Sequence, residues 1–128
     1  MKRANAITKE LNRMGITKLQ KSRRGDIDFR FHGFSYFIDM VGDEAFTISI
    51  PCIYEMTEEN QLDVLKAVNE INNEVHVVKI VVDSDNDVSV MYEYNVVNKD
   101  TFYEPIIERG LIDTERVVHR FYRKLEQS

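Results

Sequence analysis

Three carboxylates alternate in Asp83-Ser-Asp85-Asn-Asp87, a spacing that could aim oxygen ligands at a hard cation such as Ca²⁺. The surroundings argue otherwise. A helix-loop-helix calcium site opening at Asp83 needs glycine at its sixth position and glutamate at its twelfth, where this chain has Val88 and Tyr94. Alternating apolar residues on both sides predict a solvated hairpin turn instead. An Asp-x-Asp nucleophile for phosphoryl transfer must end a strand feeding a parallel α/β sheet, whereas here a return strand follows at once. His32, His76 and His119 lie far apart and show neither the i, i+4 nor the Cys-His spacing of a zinc site. Cys52 falls in the alternating set Phe46, Ile48, Ile50, Cys52, Tyr54, which predicts a buried core thiol. There is no Gly-x-Ser-x-Gly elbow, and the five glycines are too scattered to cradle a phosphate. The residues therefore predict no catalytic centre, no metal and no cofactor.

Charge supplies the next candidate. Residues 1–25 hold eight basic residues and one acid, a net +7, while the remainder carries −12. Lys18, Lys21, Arg23 and Arg24 form the densest group and are the candidate anion contacts; alternatively the basic segment folds against the chain's own acids. Without interleaved aromatics, and with an acidic body behind it, the segment argues against a nucleic-acid partner. At 128 residues, 43% hydrophobic and 30% charged, the chain fits one domain over 1–128 with its own core. No apolar run approaches the roughly 20 residues of a membrane span and no secretory signal opens the sequence, so a cytoplasmic protein is expected.

The elements that would position these groups follow from periodicity. Ile7, Leu11 and Met14 predict a helix over about 3–14, with Gly15 in a left-handed cap. Ile27, Phe29 and Phe31, then Phe34, Tyr36, Ile38 and Met40, predict a hairpin turning at Gly33; Gly42-Asp43-Glu44 leads into a third strand that Pro51 weakens or ends. Thr57 with Glu58 and Glu59 starts a helix whose buried stripe is read as Leu62, Leu65, Val68 and Ile71, ending near Asn72 and Asn73. Val78, Ile80 and Val82 pair across the aspartate turn with Val88, Val90, Tyr92, Tyr94 and Val96. Asp100 caps a segment containing Pro105 and closed by Gly110, and Asp113 caps a last helix. The order α-β-β-β-α-β-β-α predicts an α+β fold: about five antiparallel strands with helices mainly on one face.

This order, with the strand pair Phe29–Ile38, the helix Leu62–Asn73 and the run Val78–Tyr94, resembles the YbjN-type bacterial sensory transduction regulators, whose domains share the fold of the type III secretion chaperones. The resemblance spans most of residues 3–125. It implies a regulatory or chaperone-like role exercised through protein contacts, often as a homodimer, with no catalytic residue to transfer. The basic N-terminal segment and the stretch between Gly15 and Ile27 depart from the secretion chaperones.

If Tyr36 and its alternates face the helices, Phe37 and Val41 point the other way, as do Val77, Val81 and Met91. These five predict an apolar patch on the open face, the expected protein interface. The expected function is a non-enzymatic protein-binding module; the alternative is an anion- or nucleic-acid-sensing module working through the basic segment.

Overall fold

The computed structural model describes residues 2–42, 45–95 and 103–127. Ala4, Ile7 and Leu11 bury one side of the first helix, α1 (Lys2–Arg13). Its end is closed by two bonds, Ile16 N–H to the Leu11 carbonyl (2.9 Å) and Gly15 N–H to Asn12 (3.0 Å), with Gly15 at φ +88°. That pattern satisfies carbonyls the helix would otherwise orphan and drops Ile16 into the core beside Leu11.

Six strands follow rather than five. β1 (Gln20–Lys21) is a two-residue strip in the polar stretch after α1; then come β2 (Ile27–Phe31), β3 (Phe34–Val41), β4 (Ala45–Glu55), α2 (Gln61–Glu74), β5 (Val78–Val82), β6 (Asp87–Asn95) and α3 (Tyr103–Glu126). The sheet order is β1-β2-β3-β4-β6-β5, every neighbouring pair antiparallel. α3 lies across β4, β6 and β5, and α1 and α2 both pack against it. Tyr36, Phe46, Ile48, Ile80, Leu111 and Phe121 are fully buried in the core between the helices and this face.

Several sequence expectations are corrected. Pro51 does not end its strand: β4 continues to Glu55, and Pro51 falls beyond the last β3 pair, Phe37 with Ser49, where no ladder donor is needed. Between Ile50 opposite Val90 and Tyr54 opposite Val88 the strand bulges, and the alternation slips. Cys52, at φ +55° in that bulge, is therefore exposed rather than in the core, its N–H held by the Ser89 hydroxyl at 3.0 Å. The buried stripe of α2 is Val64, Ala67 and Ile71, while Leu62 (82% exposed) and Leu65 (43%) face outward. Thr57 closes a turn with Asn60 instead of capping α2, and the helix runs past Asn72 and Asn73 to Glu74. The broken terminal helix is one helix of 24 residues. Pro105 sits in its first turn, where the missing N–H costs nothing, and Gly110 is mid-helix, not a terminator. A Cβ there would lie 2.6 Å from Ile48 Cδ1 and 3.2 Å from Tyr92 Cδ1, so glycine lets α3 approach the sheet. The expected roles of Asp43, Glu44, Val96 and Asp100 lie outside the described residues.

The two sheet edges differ. On β5, Ile80 turns its backbone outward, and the Asn72 side chain takes both groups, accepting from Ile80 N–H at 2.9 Å and donating to its carbonyl at 2.8 Å. An amide standing in for a missing strand blocks further pairing there. β1 covers β2 only as far as Asp28.

Candidate functional site

The sheet face opposite the helices is made of the alternate residues of the strands that build the core. One cross-strand row reads Asp28, Phe37, Ser49, Met91, Lys79. Directly opposed side chains on an antiparallel pair stand about 5 Å apart, so Phe37 and Met91 flank Ser49 from both sides. The consequence is visible in burial: Ser49 is buried, although none of the described helices covers this face, and its hydroxyl donates to the Phe37 carbonyl at 3.3 Å. Val81 lies opposite Ser89, also buried, one step along. Phe37, Val81 and Met91 are each half-buried.

Three of the five predicted patch residues are thus brought together. The other two are exposed but peripheral. Val41 (51% exposed) ends β3 opposite Ala45, and Val77 (66% exposed) precedes β5 at φ +71°, where the Val78 N–H bonds the His76 carbonyl at 2.7 Å. Charge borders the patch: Lys79 pairs with Glu93 at 2.9 Å, and Arg24 with Asp39 at 2.6 Å. The result is a small apolar centre with a polar rim.

The basic segment is divided. Arg24 is occupied by Asp39, by Asp26 at 3.2 Å and by the Met40 carbonyl. Burial alone would raise the Asp26 carboxyl, but the Met40 N–H at 2.8 Å and the Arg24 guanidinium outweigh it and hold it below its ordinary value. Arg3 donates to the carbonyls of Gly42 and Ala45. Among the described residues, Lys18, Lys21 and Arg23 make no ion pair; Lys21 and Arg23 lie exposed on β1 and its turn, and Lys18 lines a cleft beside β2. The four predicted contacts do not act as one cluster, since Arg24 is committed elsewhere.

The groups that could do chemistry are used structurally. The Asp83 carboxylate accepts from the N–H of Asp85 (2.9 Å) and of Asp87 (3.1 Å), closing the predicted turn. His32, at φ +53° in the β2–β3 turn, meets the Glu115 carboxylate at 3.1 Å. Tyr36 donates to the same carboxylate at 2.8 Å; burial and that partner push its hydroxyl's pKa up. His119 stands edge-on to Phe34. Local desolvation, then Asp87, pushes the Cys52 thiol up although the side chain is exposed.

One cluster was invisible in the sequence. Glu10 of α1 and Glu104 and Glu108 of α3 bring carboxylate oxygens within 4.8 Å of one another, a set that could hold a cation. Arg13 already lies among them, bonding Glu10 and Glu108 and 3.2 Å from Glu104, and these partners keep its guanidinium more firmly charged. The cluster is a clamp between helices. Arg120 and Lys124 of α3 likewise meet Glu74 and Glu70 of α2. The outward leucines of α2 were also missed as surface.

A family model, YbjN, described as "Putative bacterial sensory transduction regulator", matches residues 3–103, ending where α3 begins. No curated protein matches the sequence significantly. Among solved structures, YbjN from E. coli, titled a "putative transcription regulator", superposes with a TM-score of 0.69 at 16% identity, over 91% of this chain and 87% of that one. The Yersinia pestis type III secretion chaperone SycH, in complex with a stable fragment of YscM2, gives 0.65 at 10% identity, over 91% and 97%. At such identities the likeness is one of fold. Among the described residues no helix is long and apolar enough to cross a membrane.

Proposed function

The chain belongs to the YbjN family of bacterial sensory transduction regulators, and from that premise we propose that it is a non-enzymatic regulatory or chaperone-like module that acts by binding another protein. The observation that carries this reading is the Phe37–Ser49–Met91 row with Val81 beside it, apolar side chains at the centre of the one sheet face that the helices leave uncovered. Large apolar groups ringed by charge are what partner surfaces offer: a desolvated centre supplies affinity and the rim supplies register. SycH, of the same fold, was crystallised with a protein fragment, which makes a protein partner a natural use of this scaffold. The reading sets the protein in the cytoplasm.

Homodimer formation is the second part of the proposal. Leu62 and Leu65, exposed on the outer side of α2, are the surface available to a second copy. Two substitutions test the parts separately. Phe37→Asp is expected to abolish capture of the protein partner without changing mass in light scattering, and Leu62→Glu to convert a dimer to a monomer while leaving capture intact. Retention of the same partner by Phe37→Asp contradicts the sheet-face reading.

A further inference from the structure

A cleft of about 760 Å³ opens beside β2, on the sheet edge that Asn72 does not block. Its origin is local. Ser22 N–H bonds the Asp26 carbonyl at 2.9 Å, and Gln20 pairs with Asp28, so the even-numbered residues of β2 turn their backbone groups toward β1. Arg30 is the next such position, and continuing the register sets residue 18 opposite it. But the capped end of α1 directs Gly15, Ile16, Thr17 and Lys18 away from strand geometry, and among the described residues no backbone bond reaches Arg30 from that side. Arg30 is left with an outward donor and acceptor at the wall of a cleft.

The side chains around that gap carry both signs. Lys18 and Arg30 line it as cations and Asp28 as an anion; neither Lys18 nor Asp28 has an ion pair among the described residues, and Arg30 bonds only the Ser35 hydroxyl and the Gly33 carbonyl. Ile16 and Phe31 supply apolar wall. A simple anion would meet Asp28, and a simple cation would meet Lys18 and Arg30. A ligand with both charges, an amide between them and an apolar side chain meets every group. Asp28 and Arg30 lie two residues apart on one face of a strand, about 7 Å, which is about the span of two extended residues. The volume is that of a small-ligand site.

From this we infer that the cleft is a binding site for a short zwitterionic peptide of two or three residues, with its ammonium at Asp28, its carboxylate at Lys18 and Arg30, its amide on the Arg30 backbone and an apolar side chain against Ile16 and Phe31. Asp28 stands beside Phe37 in the open-face row, so the cleft borders that surface, but Lys18, Arg30, Ile16 and Phe31 lie outside the row and the site stands whether or not the surface binds protein.

The test is a titration of the whole isotope-labelled protein with the dipeptide Val-Leu, followed by amide NMR. Saturable shifts centred on Lys18, Asp28 and Arg30 are expected. Each exposed charge pair contributes about two- to fivefold to affinity, so Asp28→Asn and Lys18→Gln each weaken binding by that factor and capping both termini of the dipeptide weakens it about tenfold. The capped peptide is tested on the unaltered protein, so its result is independent of how the variants fold. No shift at these amides at peptide concentrations on the order of 10 mM, equal binding of the capped dipeptide, or the same shifts with inorganic phosphate each overturns the assignment.

Discussion

The two faces of the sheet are woven from the same strands with the same alternation, yet they differ in side-chain size and in what covers them. On the helix side strands β3 to β6 contribute large groups that the helices cover: Tyr36, Ile38, Phe46, Ile48, Val90 and Ile80 are all buried. On the open side the central strands contribute Thr47, Ser49 and Ser89, with Phe37 and Met91 as the large apolar exceptions. Small hydroxyls are what an uncovered face wants; two large apolar groups on either side of Ser49 are not. The contrast separates the face that holds the fold together from the one the described helices leave open.

The largest effects are expected on the covered side. Phe46→Ala removes a fully buried ring and should cost about 4 kcal/mol in denaturant unfolding. Gly110→Val tests the close approach of α3: overpacking against Ile48 and Tyr92 should cost about 3 kcal/mol. Gly110→Ala should cost only about 1 kcal/mol net, because alanine recovers roughly 1 kcal/mol of helix propensity. An alanine that stabilises would show that the helix has slack there. On the open side the signs reverse. Met91→Asp should weaken partner binding by about 2 kcal/mol or more while shifting stability by less than about 1 kcal/mol.

The smallest effect is a pH dependence. Asp26 has its folded-state pKa lowered, so its contribution to stability is present above the unfolded value of about 4 and is lost as pH falls through the folded value. The stability gap between the native chain and Asp26→Asn should therefore stay constant from pH 7 to about 5 and close below about 4. A gap that instead grows on acidification would show that the Met40 N–H and Arg24 do not favour the charged form.

How far the sequence disclosed this is clearest at particular residues. The α1 cap was legible because glycine after an apolar stripe has one common use, and the hairpins were legible because alternation and turn residues agreed. The α2 stripe was misread for a geometric reason. Leu62, Leu65, Val68 and Ile71 are spaced by three, and each step of three drifts about 60° around a helix, so Leu62 and Ile71 stand on opposite sides. Val64 and Ala67 share one side with Ile71, but their smaller size hid them. Gly110 looked like a helix stop because a tight helix–sheet approach involves Ile48 and Tyr92, far away in sequence. Cys52 looked buried because a bulge shifts alternation without any local signal beyond Pro51. The open face was partly legible: Phe37, Val81 and Met91 are brought together as alternation predicts, while Val41 and Val77 lie at strand ends, which strand order alone reveals. The Lys18 cleft depends on residues 15–19 leaving the sheet, which no pattern marked.

The most direct test of the central claim is a paired capture from native bacterial cytosol, with the unaltered chain and the Phe37→Asp, Met91→Asp double variant as baits, after both are shown to unfold at matched denaturant midpoints. One defined protein should be held by the unaltered chain and lost from the double variant. The same protein held by both would place its binding elsewhere on the molecule and contradict the assignment of the open face as the docking surface.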